Sequence, residues 1–318
     1  MQPERGIPRV GCGDNQPHVD GVLDRCGRAR RCRISWALLA GRPGMSDRPV
    51  LPPRKTAFIL ASTDHGTMIV DRFDYKMATE SVGYGVGFKL LNETSYEAGE
   101  ILIGAIVLES RRRQFGDGVV AVDCGANIGT HTVEWAKQMT GWGCVTAIEA
   151  QERIYYALAG NVAINNCFNA KLIHAAVGNA NGLMKIPQPD YLAPASFGSL
   201  ELRPQKTPED IGQKIDYTER ALVPVRAMTI DSLALKRLDL LKVDVEGMEC
   251  EVLEGARRTI RQCLPAIIIE HLKTGREKIA GSLQHYGYRL GEIGVNMLAV
   301  HPADRASDSF MIPMTAAA

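Results

Sequence analysis

Strand-like and helix-like patterns alternate from residue 119 to residue 300, which predicts an α/β domain on a mostly parallel sheet. Two stretches carry the prediction. In the first, Val119, Val120, Ala121 and Val122 run into Asp123, two glycines follow at Gly125 and Gly129, and Ile128, Thr132 and Ala136 then recur at helical spacing. This is strand, tight turn and helix. In the second, residues 238–247 read as a strand that ends in charge, followed by a helix with Met248, Val252, Leu253, Ala256 and Ile260 on one face.

A chain of 318 residues has room for one large domain with attachments, or for two small ones, and a hydrophobic content of 45% supports a sizeable core. The net charge of +1 hides an asymmetry, because residues 1–56 hold eleven Lys/Arg against five Asp/Glu. The remainder is mildly acidic and carries no nucleic-acid-binding signature. The eight cysteines, at 12, 26, 32, 124, 144, 167, 250 and 263, show neither a Cys-x-x-Cys motif nor Cys/His metal spacing. A reducing, cytoplasmic setting is the expectation. No apolar run approaches the length of a membrane span. The run 34–40 behind the basic residues 28–33 is short for a signal peptide and has a poor cleavage context.

Taken in order, residues 1–56 are rich in Arg, Gly and Pro without periodicity, and are expected to be a disordered extension, with Met45 and Met68 both candidate initiators. Residues 57–116 are read as an N-terminal cap. Apolar runs 57–61 and 67–70 flank the turn 63–66 as a hairpin, Gly83, Gly85 and Gly87 space the next stretch, and 96–113 reads as a helix. Tyr96 and Glu97 at its start either close over a cofactor or serve as a packing aromatic and a first-turn acid. The main domain is expected over 117–302, with strands at 119–123, 144–149 and 170–177 and helices at 128–138 and 151–164. Asn161, Asn165 and Asn166 mark the end of the second helix. A polar, proline-bearing insertion at 179–222 interrupts the alternation and is read as a lid or substrate wall. The strand 223–227 resumes it, followed by 266–269, a helix at 276–286 and a closing antiparallel pair at 288–290 and 296–300. Residues from 303 are expected to be a flexible tail.

At Gly125 and Gly129 the missing Cβ is expected to admit a ligand, with amides at the helix start free to hold an anion. The pattern departs from the dinucleotide fingerprint, since Asp123 stands where its first glycine belongs and Gly129 lies one residue beyond its last. That points away from NAD. An acid at the end of the first strand suits the ammonium and sulfonium of S-adenosylmethionine, and Glu149 at the end of the second suits two ribose hydroxyls. Ala175, Ala176, Val177 and Gly178 are small enough for an adenine to lie flat, or for close packing. Lys242, Asp244 and Glu246 alternate onto one side of their strand. Three such charges are tolerable at a strand's carboxyl end facing a ligand cleft, or with Lys242 paired to a carboxylate for neutrality.

The motifs Asp123-Cys124-Gly125-Ala126-Asn127-Ile128-Gly129, Glu149, Ala175-Ala176-Val177-Gly178, Thr229-Ile230-Asp231-Ser232-Leu233 and Leu241-Lys242-Val243-Asp244-Val245-Glu246-Gly247-Met248-Glu249 strongly resemble the FkbM-type S-adenosylmethionine-dependent methyltransferases. The resemblance covers roughly 117–300. It implies a doubly wound, Rossmann-like class I methyltransferase sheet of seven strands, six parallel and the last reversed, with S-adenosylmethionine across the first two. It also implies O-methylation of a sugar or polyketide hydroxyl, a small-molecule or glycan acceptor rather than nucleic acid or membrane. The run Ala150-Gln151-Glu152-Arg153 lacks the proline usual after the second strand's acid, which marks a subgroup.

The cofactor residues expected are thus Asp123, Gly125, Asn127, Gly129, Glu149 and Ala176. Methyl transfer to a hydroxyl benefits from positioning and from a base. Asp244 and Glu246 rank first as catalytic-site residues and His271 as the base, with His131 a further candidate. No metal is required by spacing, although Asp244, Glu246 and Glu270 form a conceivable Mg²⁺ set. Two other classes stand open at this level: a nucleotide-dependent α/β enzyme such as a reductase, and a non-catalytic S-adenosylmethionine-binding module.

Overall fold

The computed structural model describes residues 54–304, Ser81 excepted, so the expected disorder of residues 1–53 and most of the expected tail lie outside the described residues. The hairpin is β1 (Phe58–Thr63) and β2 (Gly66–Asp71), then a short ribbon, β3 (Lys76–Met77) and β4 (Gly83–Tyr84), and two helices, α1 (Val86–Glu93) and α2 (Ala98–Phe115). The alternating part begins with β5 (Val119–Cys124), α3 (Thr130–Gln138), β6 (Gly143–Glu149), α4 (Glu152–Ile164) and β7 (Ala170–His174). Next come β8 (Ala176–Val177), β9 (Gly182–Pro187) and β10 (Leu222–Met228). The chain closes with β11 (Leu240–Val243), α5 (Glu249–Gly255), α6 (Arg257–Cys263), β12 (Ala266–Glu270), α7 (Arg276–Gln284), β13 (Arg289–Ile293) and β14 (Asn296–Val300). Among the described residues no helix is long and apolar enough to cross a membrane.

The main sheet has seven strands in the order β13-β14-β12-β11-β5-β6-β7, with β14 reversed against its neighbours. From β5 the chain steps outward to β6 and β7, then crosses back to β11 on the other side of β5. The strand order therefore switches between β5 and β11, which is where open α/β sheets form a crevice at the carboxyl ends.

Period-two alternation sorts the strand residues into two apolar layers. Val119, Ala121, Leu240, Ala266 and Ile268 face a layer with α2, α3 and α4, whereas Val122, Leu241, Val243, Ile267 and Ile269 face one with α5, α6 and α7. Trp135, fully buried on α3, fixes α2 against the sheet: its Nε1 donates to the Ile101 carbonyl at 3.1 Å, and Gly104 leaves room for the indole. Asn161, also fully buried, donates to the Ile128 and Ile69 carbonyls and accepts the Ile69 amide, so it ties the hairpin to the turn after β5 rather than merely ending a helix.

Two conspicuous sequence motifs prove to be structural supports. Asp231 accepts the Thr259 and Arg258 amides at 2.8 and 3.0 Å and so satisfies the start of α6 from outside the helix. Glu249, with no exposed surface, accepts the Gly247 and Val245 amides at 2.9 and 3.3 Å and thereby shapes the turn after β11.

The structure departs from the sequence reading in four places. The glycine-spaced stretch contains a helix, α1. The expected strand 170–177 divides, because β8 leaves the main sheet and pairs with β10 in a separate three-stranded sheet ordered β8-β10-β9. The expected strand 223–227 is β10, outside the main sheet, and the insertion contributes β9, whose largely exposed residues give no alternating signal. The helix expected after β11 breaks at Ala256 into α5 and α6.

Asp74 joins two of these additions. Its Oδ2 accepts the Gly87 amide at 3.0 Å, at the start of α1, and its Oδ1 accepts the Phe197 amide at 2.9 Å, inside the insertion. Asp74→Ala leaves both buried amides unpaired, which is expected to cost about 2–5 kcal/mol of stability. A chemical-denaturation difference below about 1 kcal/mol would show that Asp74 does not clamp the two segments.

Candidate active site

A cleft of about 230 Å³ opens at the strand switch, floored by the ends of β5, β6, β11 and β12. The segment from Tyr84 to Glu97 supplies one wall through Tyr84, Val86, Tyr96 and Glu97, and the insertion supplies another through Ser196, Ser199, Leu200 and Leu202. The 179–222 insertion thus reaches the site as a wall.

The turn after β5 works differently from expectation. All five amides from Gly125 to Gly129 donate within the protein: Gly125 and Ala126 to the Ile148 carbonyl, Asn127 to Glu149, Ile128 to the Asn127 side chain and Gly129 to the Ala126 carbonyl. The amides of the turn itself are therefore not free to hold an anion; the helix that follows starts at Thr130, which with His131 lines the cleft. The glycines answer to protein neighbours as well. A Cβ on Gly125, at φ +75°, would lie 1.7 Å from the Asp244 carbonyl oxygen, and one on Gly129, at φ +91°, would lie 2.5 Å from Leu158. Missing side chains therefore let β5 and β11 end side by side and α4 pack close.

What the turn holds is Glu149. One carboxylate oxygen accepts the Asn127 amide at 3.0 Å and the other the Gln151 amide at 2.7 Å. Burial outweighs those bonds and pushes the carboxyl up to about 7. Beside it, Ala175, Ala176 and Val177 form a flat apolar wall.

On the other side of β5, charge accumulates. Lys242 is 3% exposed and donates to Asp244 at 2.9 Å; burial opposes its charge, yet Asp244, Glu100, Asp123 and Glu97 hold its pKa well above the ordinary value. Glu246 reaches the cleft through a left-handed residue, φ +58°, because the strand ends at Val243 and the chain turns. It pairs with Lys273, which also donates to the Ser199 carbonyl at 2.7 Å. Burial first and Asp244 second raise Glu246 well above the usual carboxylate range and push Glu270 up to about 8. Carboxylate oxygens of Asp244, Glu246 and Glu270 lie within 4.8 Å of one another. Lys242 and Lys273 already supply positive charge to two of the three, so the set does not call for Mg²⁺ to neutralise it.

Of the expected site residues, Gly125, Asn127, Glu149, Ala176, Asp244 and Glu246 line the cleft, whereas Asp123, Gly129 and His271 do not. Asp123 is 1% exposed and accepts the Thr132 hydroxyl at 2.6 Å behind the turn, as the register partner of Lys242. His271 follows Glu270 by one residue; Glu270 continues the face of Ala266 and Ile268, so the alternation that brings Glu270 into the cleft carries the next residue out of it. The sequence reading gave no site role to Gln151, and it reached Ser196 and Ser199 only as part of the insertion read as a lid or substrate wall. His131, the further base candidate, also lines the cleft, whereas Glu100 stands behind it, 3.0 Å from the imidazole, and its sequence signal was only that of an acid in a helix's first turn.

The profile of a family described as Methyltransferase FkbM domain matches residues 123–290, more than half of the chain. No curated protein matches. Among solved structures, a methyltransferase FkbM from Methylobacillus flagellatus KT is similar at 18% identity, covering 58% of this chain and 44% of that one with a TM-score of 0.40. This chain therefore spans less than half of that protein. A precorrin-6y C5,15-methyltransferase from Geobacter metallireducens GS-15 is similar at 15% identity over 63% of this chain and 86% of that one, TM-score 0.35. An Aquifex aeolicus SAM dependent methyltransferase is similar at 14% identity over 65% and 97%, TM-score 0.33.

The raised carboxyls have a consequence for stability. Asp74 moves from 3.8 to about 6, Glu149 from 4.5 to about 7 and Glu270 from 4.5 to about 8. Between each pair of values the folded protein holds a proton that the unfolded chain has released, so rising pH destabilises the fold. Glu100 acts in the opposite sense: despite burial, His131 and Lys242 bring it down to about 2, so its contribution is present above 4.5 and lost as pH falls. The melting temperature of the unliganded protein is expected to be highest near about pH 5 and to fall towards about pH 8. A scanning-calorimetry series showing a flat or rising trend over that interval would contradict this picture of the cleft.

Proposed function

The chain belongs to the FkbM methyltransferase family, and from that premise we propose that it transfers a methyl group from S-adenosylmethionine to a hydroxyl of a sugar or other small metabolite. The observation that carries the reading is Glu149, a carboxylate braced by two amides at the strand switch with oxygen lone pairs left for a ribose diol. Ala175, Ala176 and Val177 next to it supply the apolar surface an adenine needs. Charge supports the same donor. The lining holds five carboxyl groups, Glu97, Glu149, Asp244, Glu246 and Glu270, against Lys89 and Lys242; burial keeps protons on several of them, and a sulfonium cation, unlike the neutral thioether left after transfer, would be stabilised by their ionisation.

In the reaction the acceptor oxygen forms a bond to the methyl carbon as the carbon–sulfur bond breaks, sulfur keeps the electron pair, and the hydroxyl proton goes to a base. Glu270 takes that role in place of His271. It lines the cleft, its Oε2 is buried without a hydrogen-bond partner, and burial with the neighbouring Asp244 tunes it to about 8. Arrival of a sulfonium lowers that value and readies the carboxylate. Asp244 and Glu246, anchored by Lys242 and Lys273, orient acceptor hydroxyls beside it.

Calorimetry should show S-adenosylmethionine binding that Glu149→Ala weakens by about tenfold or more, corresponding to loss of a charge-assisted pair of hydrogen bonds. Stronger binding of NADPH than of S-adenosylmethionine would remove the assignment. With labelled donor and a panel of hydroxylated metabolites, Glu270→Gln is expected to lower kcat by about 10²–10⁴-fold with donor affinity retained, whereas His271→Ala leaves kcat within about threefold. In the wild type kcat should climb with pH as Glu270 loses its proton, and the Gln variant should lose that limb. The opposite ranking of the two variants would return the base to His271.

A further inference from the structure

With the ribose at Glu149, the methionyl portion of the donor has to run along the cleft towards β11, where the start of α2 meets α3. Asp123, the acid expected there, does not line the cleft, yet three other groups converge at that end. Glu97 lines the cleft, and its Oε2 is buried with no hydrogen-bond partner. Glu100 and His131 are 6% and 4% exposed. Nε2 of His131 lies 3.0 Å from Glu100 Oε1 and 3.7 Å from Glu97 Oε2, and none of these three atoms makes a hydrogen bond of acceptable geometry. They gather within 4.8 Å of one another. The other oxygen of Glu100 is held by Asn296, and the nearby Lys242 donates its hydrogen bond to Asp244, so Lys242 reaches Glu97 through charge alone.

A desolvated carboxylate with an unused oxygen, beside an imidazole–carboxylate pair that is buried and 3.0 Å apart, is a receptor for a small cation that brings its own donors. An ammonium brings three. We propose that Glu97 binds the α-ammonium of the donor's methionyl portion, with Glu100 and His131 as positioning residues that fix the Glu97 carboxylate. The proposal rests on the use of S-adenosylmethionine. It also gives the left-handed Glu97 at the head of α2 a function, since that conformation delivers its carboxylate to the cleft.

The test compares three ligands by calorimetry on the full-length protein: S-adenosylmethionine, S-adenosylhomocysteine and 5′-methylthioadenosine, which keeps the nucleoside and sulfur but has no amino-acid portion. Glu97→Gln is expected to weaken the first two by about 10- to 100-fold while leaving the third within about twofold, and Glu97→Asp, which keeps the charge, should recover part of the loss. Equal weakening of all three, or of none, would overturn the proposal, and a melting curve on each variant checks that it is folded. Failure of the wild type to bind any of the three defeats the donor assignment itself. Wild-type binding of 5′-methylthioadenosine without preference for S-adenosylhomocysteine defeats this inference alone. A rise in melting temperature with Mn²⁺ or Zn²⁺, lost in Glu97→Gln, would replace the ammonium with a metal ion and equally overturn the inference.

Discussion

The ammonium of Lys242 stands among four carboxylates, those of Asp244, Glu100, Asp123 and Glu97, and the rest of the cleft depends on it. Carboxylates brought together out of water repel one another and lose hydration, so each tends to keep its proton, as Glu270 and Glu246 do. A buried cation changes that balance for the groups around it. Lys242 sits in register with Asp123 on the adjacent strand and donates to Asp244 beyond its own, so it links β5, β11 and α2 electrostatically at the point where the strand order reverses. Lys273 repeats the arrangement one strand further on, with Glu246 and the Ser199 carbonyl. The result is a cleft rich in carboxyl groups whose positions are fixed by two lysines.

Such an arrangement needs a rigid base. The strands behind the cleft are apolar on both faces, and their two sets of side chains feed two packed layers, so the strand ends have little freedom to move apart. The close approach of Gly125 to the Asp244 carbonyl belongs to the same logic. With no side chain between them, the ends of β5 and β11 sit side by side, so that Glu149 on one side and Lys242 and Asp244 on the other line a single cleft. Asp74 then fixes the walls by holding the first turn of α1 and the insertion with its two oxygens. The two walls are thereby bound to each other.

The sequence by itself determined the architecture. Residue patterns of period two and period 3.6 reflect which faces are buried, and they identified the α/β alternation, the hairpin, α2 and the closing antiparallel pair. It also placed Glu149, Asp244 and Glu246, because an acid at the end of an otherwise apolar strand is costly anywhere except at a cleft. Where the pattern carried little information the reading failed. The two buried residues of β9, Ile186 and Pro187, are adjacent rather than alternating, α1 is masked by glycines that serve close packing, and β8 leaves the sheet through a hydrogen-bond exchange that no local propensity encodes.

Only the tertiary structure decided which of neighbouring acids and bases share a site. Glu270 and His271 differ by one step along the chain, and the pleat sends the first into the cleft and the second away from it. Asp123 and Glu97 are 26 residues apart and equally acidic. Register places Asp123 behind the turn, under Thr132, while the packing of α2 on Trp135 carries Glu97 to the cleft. Strand and helix periods are local properties that a sequence displays, but distances between groups on different elements are set by how those elements dock, and it is those distances that make a binding site.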